Sequence, residues 1–392
     1  MKFTLSWLKD HLQFDSELKD VSEKLTALGL EVESISDVGD TLSPFIVGHV
    51  EDAIKHPNAD RLKLCKVNTG SEVIQVICGA PNVRKGIKGV FAHAGTIIPG
   101  TGTVLKSSKI RGVQSDGMLC SEREMGLSDE HEGIIELPED APLGSSFSKL
   151  LGLNDPLIEI AITPNRGDCL GVSGIARDLA ASGLGNICSP RIEKTNGSFK
   201  NPIDIHLALP ESETNACPLF LSRYIRGLRN TKSPQWLQNR LQAIGLRPIS
   251  AIVDMTNYLT FDQNRPVHAY DADKIAGNNL KISLGRGGLE LKALNEKMYV
   301  LDDEMTAIED EAGVVSLAGI MGGERTGCND ETVNVLLEVA LFDPVRTAAT
   351  GRKLAIDSDA RYRFERGLDP EFAMVGLDQA TQMLLDFCGG EA

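Results

Sequence analysis

The sequence predicts an α+β multidomain protein: a small N-terminal α/β unit with an inserted β-barrel, followed by a larger mixed α+β domain. Three observations predict it. Residues 40–148 read as short alternating strands broken by Gly, Pro and Asn, the pattern of a small barrel. Helical patterns flank that segment on both sides. From about residue 204 onward, helix and strand patterns mix without an internal repeat. The expected parts are 1–39 and 149–195 for the N-terminal unit, 40–148 for the barrel, and 204–392 for the last domain.

Each element follows from local signals. After a short strand-like opening, Asp15 and Ser16 cap a helix with Leu18, Val21 and Leu25 as its apolar stripe, and Gly29 ends it. The barrel strands are expected at Phe45–Ile54, Leu62–Val67, Val73–Cys78, Gly89–Ala94 and Gly117–Cys120. Asp168 caps a helix carrying Leu170, Ile175, Leu179 and Ala180, closed by Gly183 or Gly185. Residues 190–203, with Pro190, Asn196, Gly197 and Pro202, look like a linker. Ser233 and Pro234 start a helix with Trp236, Leu237, Leu241 and Ile244, stopped by Gly245. Strands are expected at Leu280–Leu284, Met298–Leu301, Met305–Ile308 and Val314–Leu317, and late helices near Pro344–Leu354 and Pro370–Phe387.

Composition excludes several classes. No run approaches the ~18 apolar residues that a membrane span needs, and the first twelve residues lack the apolar core of a secretory signal. The eight cysteines include no pair at zinc-ligand spacing, so scattered thiols in a reducing cytoplasm are expected. Net charge is −15, yet residues 56–111 hold nine basic side chains and two acidic ones. That segment is +7, so the rest of the chain carries −22. A local phosphate-binding face on an acidic body produces such asymmetry, and so does a solvated basic face with no partner.

Four stretches fall in the basic segment and just after it: His56-Pro57-Asn58-Ala59-Asp60-Arg61, Gly79-Ala80-Pro81-Asn82, Lys106-Ser107-Ser108-Lys109-Ile110-Arg111, and Ser115-Asp116-Gly117-Met118. In this order and spacing they resemble the tRNA-binding OB-fold shared by several synthetases and accessory proteins. Arg61, Lys85, Lys109 and Arg111 are the residues expected to bind tRNA. With Phe91 as the one aromatic between residues 56 and 111, backbone charge should outweigh base stacking. Gly319-Ile320-Met321-Gly322-Gly323 lacks the Lys-Ser/Thr of a P-loop. Lys106 to Lys109 superficially resembles a class I synthetase lysine loop, but the His-rich partner motif is missing. No nucleotide or metal site is expected in this chain.

Longer signatures follow: Thr163 to Leu170, Ile252 to Tyr258, Pro266-Val267-His268-Ala269-Tyr270-Asp271, Leu317 to Gly323, Leu337-Glu338-Val339-Ala340, and Tyr362 to Gly367. With the barrel, they make the whole chain resemble the N-terminal half of bacterial phenylalanyl-tRNA synthetase β subunits. Gly167, Gly171 and Arg361 depart from that pattern, and the chain is far shorter, which suggests a fragment. The resemblance implies a B3/B4-like editing domain over 204–392 that hydrolyses tyrosine mischarged onto phenylalanine tRNA. It implies an (αβ)2 complex with the α subunit, ATP and Mg2+ used by the complete enzyme, a cytoplasmic location, and no DNA or membrane partner. It assigns Glu338 to the tyrosine hydroxyl, and Thr256, Asn257 and His268 to the ester end and its water. Pro266, Ala318 and Gly319 would shape the pocket.

Each assignment has a plainer counterpart. His268 in a Pro-x-His-Ala turn is commonly a structural hydrogen-bonder. Glu338 among apolar neighbours is commonly an exposed strand residue, and Thr256-Asn257 commonly a helix cap. Arg361, Arg363 and Arg366 are expected to pair with Asp357, Asp359 and Glu365 rather than bind phosphate. Rival functions are a freestanding tRNA-binding scaffold and a freestanding hydrolase that clears mischarged tRNA.

Overall fold

The computed structural model describes residues 1–128, 130–150, 155–188 and 192–392. Two compact units emerge: Met1–Ser34 with Leu157–Ala392, and Ile35–Pro156. The second overlaps the segment expected as an insertion at 40–148. Its six-stranded antiparallel sheet runs in the order Gly117–Leu119, Lys88–His93, Phe45–Lys55, Lys63–Asn68, Val73–Cys78, with Glu136–Leu137 also on Lys88–His93. All five expected strands are present within a residue or so. The ladder does not close into a barrel. Single bonds bridge its ends instead, from Asp116 N–H to Gln75 O (3.0 Å) and from Ile77 N–H to Ser115 Oγ (3.0 Å).

The first unit is mixed α+β. A three-stranded sheet, Lys2–Thr4, Leu157–Ile160 and Val32–Ser36, joins the two stretches of chain around the insertion. A five-stranded sheet runs Asp204–Leu207, Asn279–Leu284, Thr306–Asp310, Gly313–Leu317, Met321–Gly322, with the first pair parallel. A second three-stranded sheet sets Val335–Leu341 between Leu219–Ile225 and His268–Asp271. The long helices Ala251–Gln263 and Phe372–Cys388 pack beside it. One core cluster draws on Trp7, Leu25, Ile158 and Ile175 as well as Leu259, Val339 and Leu384, so the early and late parts of this unit share one interior.

Several local readings change. Glu17, not Asp15 or Ser16, caps helix Leu18–Ala27, in a capping box with Asp20. Asp168 does not cap helix Val172–Ala181. It sits in the preceding 3₁₀ turn, and Arg166 and Arg177 hold its carboxylate. The linker expected at 190–203 begins on residues outside the described ones. Its later part is pinned, with Phe199 edge-on to Tyr224 and Ser198 bonded to the Ala392 carbonyl. No described helix is long and apolar enough to cross a membrane.

Candidate functional site

A cavity of about 500 Å³ opens in the first unit. Helix Ala251–Gln263 lines it with Val253, Thr256, Asn257 and Thr260, whose i, i+3, i+4, i+7 spacing puts them on one face. Met255 and Leu259 turn the other way, into the core. The turn after strand Gly313–Leu317 supplies Gly319 and Ile320, and Ser316 and Gly322 come from the flanking strands.

The floor carries the charge. In strand Val335–Leu341, Leu337 and Val339 enter one core cluster, Leu336 and Ala340 the other. Alternation therefore aims Glu338 into apolar packing with Leu336 and Ala340, and it is 7% exposed. Register places His268 directly opposite it on the neighbouring strand. Tyr270, two residues on and facing the same side, donates its O–H to Glu338 Oε2 at 2.5 Å.

Burial pushes the Glu338 carboxyl up to about 7, while the bond from Tyr270 opposes that rise. Burial and the adjacent carboxylate hold the Tyr270 phenol protonated, well above its ordinary value. Burial lowers His268 to about 4, so its imidazole is neutral at physiological pH. Its ring meets Tyr270 edge-on, 4.4 Å between centroids, and Nε2 has no hydrogen-bond partner among the described residues. Gly322 abuts it: a Cβ there would come within 2.3 Å of His268 Cε1 and 2.8 Å of Nε2.

The expected site residues fall as follows. Thr256, Asn257, Pro266, His268, Gly319 and Glu338 all line this cavity. Ala318 does not; it is buried in the second core cluster. Thr256 and Asn257 lie in mid-helix rather than at a cap. The Thr256 hydroxyl donates to Val253 O at 2.8 Å, so toward the cavity it offers only acceptor lone pairs. The Asn257 amide has no hydrogen bond among the described residues. Gly319 takes a φ of 69°, and a Cβ there would meet Phe342 at 2.9 Å. His268 lies on strand His268–Asp271, not in a turn. The strand reading would have revealed Tyr270, since period-2 alternation puts it beside His268. Arg363 pairs with Asp359, and Arg361 and Arg366 both pair with Glu365. Asp357 makes no ion pair among the described residues.

Asp168, Cys169 and Asp178 stand close enough to share a cation. Arg166 and Arg177 already neutralise both carboxylates, and burial pushes the Cys169 thiol up to about 12. The group does not fit a metal.

The inserted unit presents a different surface. Ser108–Ile110 and Val113–Ser115 pair as a hairpin. Its turn, Arg111-Gly112, has φ of 50° and 88°, as a type I′ turn requires. His56 Nδ1 accepts from Asn58 N–H (3.0 Å), which leaves Nε2–H to donate to Ile110 O (3.2 Å). Asn58 Nδ2 donates to Arg111 O (3.2 Å). The His56-Pro57-Asn58 loop thus clamps the hairpin tip. At the hairpin's base Asp116 accepts from Gln114 and Ser107, and these bonds hold its carboxyl below the usual range.

Arg61, Lys85, Lys109 and Arg111 are exposed, and none makes an ion pair among the described residues. Lys109 and Arg111 share the hairpin, Arg61 follows the clamp loop, and Lys85 stands on a separate loop. Lys63, Arg84 and Lys88 are engaged internally, with the carbonyl of Val83, with Glu136, and with the carbonyls of Glu139 and Ala141.

Two family models match the chain: a putative tRNA binding domain over residues 45–146 and a B3/4 domain over 216–389. Phenylalanine–tRNA ligase β subunits of Rhodospirillum rubrum and Paramagnetospirillum magneticum are each 55% identical over the whole chain, and that of Mesorhizobium japonicum is 54% identical. The chain spans about half the length of these relatives, 49%, 49% and 48%.

Proposed function

Since the chain belongs to the phenylalanine–tRNA ligase β-subunit family, we propose that its cavity is an editing site that hydrolyses tyrosine mischarged onto phenylalanine tRNA. One observation carries this reading: a buried carboxylate, Glu338, faces a cavity of about 500 Å³ whose rim holds uncommitted polar groups. Phenylalanine and tyrosine differ by one hydroxyl, and an apolar pocket rejects an added hydroxyl by only about a hundredfold. A second, hydrolytic site solves that problem. A tyrosine ring in the cavity donates its phenol to Glu338. Phenylalanine leaves Oε1 of that carboxylate unpaired, at a cost of about 1–3 kcal/mol or more for a charged group.

The ester end lies toward Thr256, Asn257 and His268. The Asn257 amide both donates and accepts, Thr256 accepts, and neutral His268 offers Nδ1, its Nε2 being sealed against Gly322. Together they orient water at the ester carbonyl. An imidazole with its midpoint near 4 is a weak base at neutral pH, so positioning, assisted by the terminal hydroxyl of the tRNA, is the mechanism we favour. Pro266 and Gly319 shape the wall.

The inserted sheet is read as an OB-fold whose hairpin, with Lys109 and Arg111, grips the tRNA backbone; Arg61 and Lys85 add charge. The family match supports an α-subunit partner in an (αβ)2 assembly in the cytoplasm. The ATP and Mg2+ of phenylalanine attachment are assigned to the complete enzyme.

In the complete enzyme, Glu338→Ala or His268→Ala should impair clearance of tyrosyl-tRNA while phenylalanine charging persists. Loss of charging with clearance intact would overturn the reading.

A further inference from the structure

Tyr270 lines no part of the cavity, yet it touches two groups that do. It is fully buried, bonds Glu338 Oε2 at 2.5 Å, and lies edge-on to the His268 ring. The other carboxylate oxygen, Oε1, has no hydrogen bond among the described residues, and it is not among the sealed, partnerless atoms that include His268 Nε2. Glu338 therefore shows one oxygen to a phenol of the protein and the other to the cavity.

We propose that Tyr270 is a positioning residue: by donating to Oε2 it holds Glu338 as an acceptor, with Oε1 presented to the hydroxyl of a bound substrate. The proposal rests on the editing reading above. A carboxylate alone in an apolar floor takes up a proton. A protonated Glu338 loses the acceptor-only character that separates a phenol from a plain phenyl ring. Tyr270 counters this because its phenol stays protonated and its hydrogen bond to Oε2 favours the ionised form. The other titratable groups facing Glu338 are neutral His268 and the Cys217 thiol, which burial and Glu338 both raise. Asp359 lines the same cavity, paired to Arg363. Among the described residues, no cation bonds Glu338 that could replace Tyr270.

The test measures tyrosyl-tRNA hydrolysis by the complete enzyme across the neutral pH range, for the parent, Tyr270→Phe and Glu338→Ala. Removing the Tyr270 donor should move the acid limb upward by about one unit, a loss of about tenfold on that limb, with recovery at alkaline pH. A parent-like profile in a folded Tyr270→Phe enzyme, checked by thermal melting, overturns the role of Tyr270. Parent-like hydrolysis by Glu338→Ala overturns the editing reading on which it rests. If Tyr270→Phe fails to fold, 3-fluorotyrosine placed at position 270 keeps the shape and makes the phenol a stronger donor. The acid limb should then move down, and an unmoved limb overturns the proposal.

Discussion

The cavity floor and the hairpin of the inserted unit handle charge in opposite ways. Glu338 is a single charge sunk in apolar packing, with Tyr270 as its one hydrogen-bond donor among the described residues. Lys109 and Arg111 stand in solvent on the hairpin, with no ion pair among the described residues. A buried charge discriminates, because leaving it unpaired costs far more than in water. An exposed charge supplies affinity that salt can erase. On the proposed function, the two regions serve two tasks, telling one amino acid from another and holding a polyanion.

The largest effect is expected for Gly322→Ala. Its Cβ would meet the His268 ring at 2.3 Å, so the ring must move. Overpacking of this kind costs about 1–3 kcal/mol, and tyrosyl-tRNA hydrolysis by the complete enzyme should fall at least tenfold. Hydrolysis at the parent rate would show that His268 placement is irrelevant.

Next comes the buried charge itself. The folded-state midpoint of Glu338 is about 7 against an ordinary 4.5. The folded state therefore binds its proton more tightly, and the stability this contributes is complete below about pH 4.5 and is lost as pH rises through 7. The loss is about 3 kcal/mol. Glu338→Gln, which cannot ionise, should then melt higher relative to the parent at pH 8 than at pH 4.5. A melting difference independent of pH would show that Glu338 does not titrate in this range.

On the hairpin, Lys109→Ala and Arg111→Ala should each lower the salt dependence of tRNA binding by about one unit of log–log slope, with little effect on the hydrolysis rate at saturating tRNA. An unchanged slope would remove these residues from the phosphate contacts. The smallest effect is expected for Asn58→Ala, which deletes one bond to the Arg111 carbonyl and should cost about 1 kcal/mol. tRNA binding should weaken with the salt slope preserved. A slope altered as much as in Arg111→Ala would mean that Asn58 contacts the ligand itself.

Much of this was legible in the sequence. The inserted strands stood out because turn residues punctuate them and one face of the sheet alternates. The helix stopped by Gly245 carried its own signal, a glycine at φ 89°. Six of the seven expected cavity residues do converge on one cavity, although the family pattern, rather than their spacing, selected them. The sheet bearing Glu338 was hard to read. Val335-Leu336-Leu337-Glu338-Val339-Ala340-Leu341 is packed on both faces, so it has no apolar–polar period. Tyr270 carries no role in the sequence pattern for a different reason: its strand reads as a turn after Pro266.

The order of the elements, the basic segment and the residues that match the family are legible along the chain. Those properties are local or additive along the chain. Folding sets which oxygen of Glu338 is free, that His268 is neutral, and that His56 grips a hairpin 54 residues away. Strand register and burial across long separations set hydrogen-bond partners and dielectric, and neither is written in any one segment.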